Sequence, residues 1–144
     1  MNAGRAVVAG LIGTGVMTGL LLVEPSVGLP QIAIGQILST SLGLASAHLP
    51  FGAAVGWIIH FLFGIVLALV YAGFVVGRLP GAAVVRGALY GLLVFVVAQL
   101  VFMPLVGGGL FSNGDWQMLA GSLLGHLVFG GLVGWTYGEP AHAT

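Results

Sequence analysis

Residues 51–76 read FGAAVGWIIHFLFGIVLALVYAGFVV, an apolar run with no charged side chain and a single imidazole, at His60. A hydrocarbon layer of about 30 Å is crossed by about 20 such residues in a helix, because every backbone N–H and C=O must be satisfied within the segment. The run is therefore read as a membrane span. Three others of comparable length and polarity lie at about 6–24, 82–105 and 117–137. Together the four take up most of the 144 residues, 59% of which are hydrophobic and only 4% charged, with a mean hydropathy of +1.18. A soluble domain carries roughly a quarter charged residues, so this chain could not cover its own surface in water.

The same composition removes whole classes of chemistry. There is no cysteine, which excludes disulfides, thiolate metal sites, iron–sulfur clusters and thiol nucleophiles. Net charge is zero with no basic run, so nucleic acid is not an expected partner. No Ser-His-Asp set, carboxylate pair or zinc-binding helix motif is present, which argues against hydrolase or transferase chemistry. The first apolar run ends in Glu24-Pro25-Ser26-Val27-Gly28 without a small-residue cleavage site, so it is expected to remain as a span.

A fifth stretch, 30–48, is shorter and carries two Gln, three Ser and a Thr. Its Ile34, Ile37, Leu38 and Leu42 follow helical spacing, which predicts a helix lying in the interface or re-entering it. With four spans Arg5, Arg78 and Arg86 fall on one side, and Glu24 and Asp115 on the other. The excess of positive charge then predicts cytoplasmic N- and C-termini.

The second and fourth spans resemble one another. His60-Phe61-Leu62-Phe63-Gly64 with Tyr71 matches His126-Leu127-Val128-Phe129-Gly130 with Tyr137, at a constant offset of 66. A weaker match joins Arg5 and Gly10 to Arg86 and Gly91, and Pro25-Ser26-Val27-Gly28 to Pro104-Leu105-Val106-Gly107. The expected fold is a single all-α membrane domain of four transmembrane helices arranged as two tandem hairpin repeats. Repeat 1 covers about 1–78 with the interfacial segment 30–48 inserted as a cap, and repeat 2 about 79–144. Each repeat holds an even number of spans, so the pseudo-twofold axis should run along the membrane normal.

Every fourth residue of the second span is small except for the imidazole: Gly52, Gly56, His60, Gly64, Ala68. The fourth span offers Ser122, His126, Gly130 and Gly134 in the same way. An ionisable side chain inside a membrane is costly, and two on symmetry-related helices would meet across one axis. Three uses fit. One is bis-imidazole ligation of a haem b iron by His60 and His126, with Gly56, Gly64 and Gly130 leaving room for the macrocycle. Another is a metal site of His60 and His126 completed by Met17, Met103 or Glu24, and the third is hydrogen bonding to neighbours, with the glycines serving only close helix packing. Thr14, Thr18 and Gln99 are the polar side chains expected beside the imidazoles.

Trp57 and Trp116 near one boundary, and Tyr71, Tyr90, Trp135 and Tyr137 near the other, are expected to form aromatic belts. Glu24 is expected at the interface, and His48 and His142 in solvent or among headgroups. Through Gly13-Thr14-Gly15-Val16-Met17-Thr18, Gly56-Trp57-Ile58-Ile59-His60-Phe61, Met103-Pro104-Leu105-Val106-Gly107-Gly108-Gly109 and Gly125-His126-Leu127, the chain resembles a family of small uncharacterised four-helix bacterial integral membrane proteins. That resemblance implies a bacterial inner membrane and carries no catalytic residue with it. The functional expectation is a small haem-binding electron-transfer module. The alternative is a cofactor-free accessory subunit of a larger respiratory or other membrane complex. The partners are lipid and other membrane subunits or a second copy of the chain.

Overall fold

The computed structural model describes residues 1–43 and 52–138, which are helical almost throughout. His48 and His142 lie outside the described residues, as does the end of the 30–48 segment. Four segments are long and apolar enough to cross a membrane: Ala3–Val27, Ala53–Val75, Ala83–Leu105 and Trp116–Tyr137. Each falls within a few residues of the span expected from hydropathy.

Helix α1 (Ala3–Val23) starts at Asn2, whose side chain accepts the Arg5 N–H at 3.0 Å. It ends in a 3-10 turn over Glu24–Val27, closed by Gly28 at φ 85°. Helix α2 (Ile34–Ser41) has eight residues, about 12 Å of rise, and is far too short to span. Helix α3 (Gly52–Val70) continues through a π turn at Tyr71–Val75. Helix α4 (Ala83–Val97) runs through a second π turn, Ala98–Phe102, and one further turn, Met103–Leu105, that contains Pro104. Helix α5 (Trp116–Tyr137) is capped by Asp115, which accepts from the Gln117 and Met118 N–H groups at 3.0 and 3.1 Å.

Glycine sets the helix spacing. A lipid environment gives helices no hydrophobic reason to associate, so they hold together by close van der Waals contact along small-residue faces. A Cβ placed on Gly10 of α1 would come within 2.8 Å of Ile65 Cα in α3. One on Gly130 of α5 would come within 2.6 Å of Gly91 Cα in α4, and one on Gly87 within 2.8 Å of Gly134 Cα. The same kind of contact thus joins α1 to α3 and α4 to α5. Helix α1 also packs along α5, where Gly13 faces Phe129 and Val133 and Gly125 faces Met17.

The bundle is dense at one end only. Where the three arginines lie, Ala6, Ala9, Ala68, Tyr71, Val133 and Tyr137 form part of a buried core. Tyr71, Tyr90 and Tyr137 are 0%, 3% and 6% exposed, so the tyrosines expected in an interfacial belt are core residues instead. Their rings pack together, and two of the hydroxyls have polar partners: Tyr90 donates to Leu67 O at 2.8 Å, and Tyr137 accepts from the Asn2 N–H at 3.1 Å. Trp116 and Trp135 do face outward. Arg86 is buried beneath this end, donating to Leu79 O at 3.0 Å and to Gly81 O at 2.7 Å.

Candidate functional site: a cavity between the two histidines

At the other end the helices diverge around a cavity of about 340 Å³. Its floor is Thr14, Leu67 and Phe129, and its roof includes Ile34, Ile37 and Leu38 of α2. Helix α2 reaches that position by packing on α3, with Trp57 against Gly35 and Gly56 against the Gly35 backbone. His60 and His126 both line the cavity. His60 lies seven residues below Ala53 and His126 ten below Trp116, about 10 and 15 Å along their helices.

The two imidazoles are held differently. His126 Nδ1 lies 2.7 Å from the Ser122 carbonyl oxygen, which can only accept, so Nδ1 carries the proton. In the neutral ring Nε2 is then left with its lone pair. Ser122 Oγ accepts from Gln99 Nε2 at 3.1 Å, and Ser112 Oγ donates to Gln99 Oε1 at 3.0 Å. A continuous polar row, Ser112–Gln99–Ser122–His126, therefore runs down one wall of the cavity. Gln99 is 1% exposed and sits in the π turn of α4, where the change of helical register turns its amide toward α5. His60 stands edge-on to Trp57 and Phe61, with centroids 5.9 and 6.1 Å apart, and its Nε2 is buried without a hydrogen-bond partner. Thr14 Oγ1, in a side chain 1% exposed, likewise has none.

Of the polar neighbours expected beside the histidines, Gln99 reaches His126 through Ser122, and Thr14 lines the cavity. Thr18 does not line it, and its hydroxyl is buried without a partner. The three glycines expected to shape a pocket mostly face helices. Gly56 meets Gly35, Gly130 meets Gly87 and Gly91, and Gly64 meets the Thr14 side chain while also lining the cavity. Ser112 was not legible from sequence, because it belongs to a loop and reaches the site through backbone geometry alone. Phe111, Ser112 and Asn113 have φ of 45°, 51° and 54°, three consecutive left-handed residues that turn the Ser112 hydroxyl inward.

Among the described residues that line the cavity there is no Arg, Lys, Asp or Glu, and no group of three or more His, Cys, Asp and Glu residues is placed to hold a metal ion. The wall between α3 and α4 is incomplete. Phe63, Val66 and Val97 line the cavity yet are 49%, 54% and 51% exposed, so they border both the cavity and the outside of the bundle. The Phe63–Phe102 ring contact, at 6.4 Å, lies on one side of this gap, and the Tyr90–Leu67 hydrogen bond on the other.

Fold and site together define a class: a small, all-helical protein with four helices fit to span a membrane and an apolar cavity lined by two histidines. The chain belongs to a family of unknown function, DUF6789, whose model covers residues 1–144. Comparison with curated proteins and with solved structures finds no match.

Proposed function

We propose that this protein is an intramembrane binding module, which holds one apolar, polar-tipped molecule in the cavity between His60 and His126. The observation that carries the proposal is an apolar cavity lined by His126, whose Nδ1–H is committed to Ser122 O so that Nε2 is left with its lone pair and no partner. A buried polar atom without a partner costs about 1–3 kcal/mol, and a ligand that supplies the partner recovers it. Purely structural packing would leave that cost standing. The setting is a bacterial inner membrane with the arginine end in the cytoplasm, as the charge asymmetry of the loops favours.

Haem b on His60 and His126 is a second reading. It is favoured by the Nδ1–H bond of His126 to Ser122, which orients an imidazole for metal ligation, and by the lack of close packing between α3 and α5. Two observations weigh toward a neutral molecule. Gly56 and Gly130 are covered by other helices, and among the described residues no cationic side chain lines the cavity to meet the propionates. The accessory-subunit alternative rests on Gly15 and Gly19, an outward-facing pair on α1 with nothing within 4 Å of either Cβ position.

Solvent extraction of the purified protein, with a reduced-minus-oxidised spectrum of the same preparation, tests this reading. One non-bulk molecule per chain, lost in His126→Ala, is expected. Haem bands lost in both His60→Ala and His126→Ala would establish the haem form. A folded preparation with only bulk lipid and a featureless spectrum would overturn the binding reading.

A further inference from the structure

Resting on the binding reading, the geometry points to the class of ligand: a lipid-soluble aromatic ring bound in its hydroxylated form, as in a tailed phenol or hydroquinone. Three features select it. The first is hydrogen-bond polarity. His126 Nδ1–H is committed to Ser122 O, so Nε2 accepts and requires a donor from the ligand. A hydroxyl supplies one, whereas a ketone, ether or ester oxygen does not. The second is the lining. His126 stands in a largely apolar lining that includes Phe63, Phe102 and Phe129, which supply aromatic contacts to a ring-shaped head. The third is the gap between α3 and α4, where Phe63, Val66 and Val97 border both the cavity and the outer face. An alkyl or prenyl tail can leave there without displacing a helix, and the absence of charged side chains among the described lining residues disfavours phospholipid or fatty-acid headgroups.

His126 is then the group that distinguishes the hydroxylated from the oxidised or capped ring. Leaving one buried acceptor unmet corresponds to a loss of about tenfold in affinity. No electron transfer is assigned to the chain, since none of its described side chains is a redox centre.

The test uses Trp57, whose indole centroid lies 5.9 Å from that of His60. Trp116→Phe with Trp135→Phe leaves it as the single reporter in nanodisc-embedded protein, and decylubiquinone serves as the quenching probe. Saturable quenching at one site is expected, displaced by decylhydroquinone at about one-tenth the concentration needed of its dimethyl ether. A second reporter, Trp116 alone (Trp57→Phe with Trp135→Phe), faces outward and is expected to show only non-saturating quenching by probe dissolved in lipid. Val66→Phe with Val97→Phe, which leaves every polar group in place, is expected to slow or abolish the Trp57 signal. Equal displacement by the hydroquinone and its ether, or identical non-saturating quenching of the two tryptophans, overturns the assignment. If extraction returns one molecule per chain that is not a hydroxylated ring, this inference fails while the binding reading stands.

Discussion

Tyr71 and Tyr137 meet edge to face, with ring centroids 6.1 Å apart and planes at 89°, although 66 positions separate them in the chain. They occupy corresponding places in the two similar spans, and so do His60 and His126, which line the cavity further along the same helices. The tyrosines close one end of the bundle where the histidines leave the other open. A double-mutant cycle on the tyrosines should therefore show coupling. Tyr71→Ala and Tyr137→Ala are each expected to destabilise by about 3–5 kcal/mol, with about 0.5–1.5 kcal/mol of that shared between the rings. Thermal unfolding in detergent measures both, and strictly additive effects would show that the ring contact contributes nothing.

The glycine faces give a sharper contrast. Gly130→Leu must push α4 and α5 apart, because a Cβ there already falls 2.6 Å from Gly91 Cα. A loss of at least about 1–3 kcal/mol is expected from overpacking against backbone that cannot move aside. Gly15→Leu, on the outward face of α1 with nothing within 4 Å, should leave the melting temperature of the monomer nearly unchanged. Size-exclusion profiles after heating distinguish the two, and equal sensitivity would contradict the packing described.

The loop that delivers Ser112 stores conformational strain. Asn113, at φ 54° and ψ 28°, is a residue type that tolerates the left-handed region, and glycine tolerates it better. Asn113→Gly should hold or raise stability by up to about 1 kcal/mol, while Asn113→Val, β-branched, should lower it by more than that. The Val variant is also expected to weaken the bond from Ser112 to Gln99, and with it binding in the cavity. Retained binding in a destabilised Val variant would show that the loop does not position the site.

Glu24 is 3% exposed, beside Gly121, and neither carboxyl oxygen has a hydrogen-bond partner among the described residues. Carrying a charge at such a place costs free energy that a neutral amide of the same shape avoids. Glu24→Gln is therefore expected to maintain or raise thermal stability at neutral pH. A clear loss would mean that the carboxylate holds a proton or cation whose removal the amide cannot replace.

The spans, the short α2 and the interest of His60 and His126, which line one cavity, were legible in the sequence, because hydropathy and a repeated His-x-x-Phe-Gly pattern are local signals. The tyrosines were misread as belt residues. Their distance from the centre of each span is the same whether they face lipid or the core, and only the helix rotations seen in the fold decide between the two. The roles of the glycines were equally ambiguous. A small face admits either a ligand edge or another helix, and Gly35, Gly87 and Gly91 fill most of those faces here. Ser122 stands one turn before His126 and could be suspected from that spacing, whereas Ser112 depends on three left-handed residues that composition does not reveal.

Native mass spectrometry of the protein released from membranes without added ligand tests the central claim most directly, with wild type compared to Ala98→Phe and Leu67→Phe. Both substitutions place bulk in the cavity and leave His60, His126 and Gln99 untouched. Ligand occupancy of the cavity predicts one noncovalent adduct of a single defined mass on the wild type, diminished or absent in the two filled variants. A wild type that flies only as the bare chain or with a ladder of bulk phospholipids, indistinguishable from the filled variants, would contradict it.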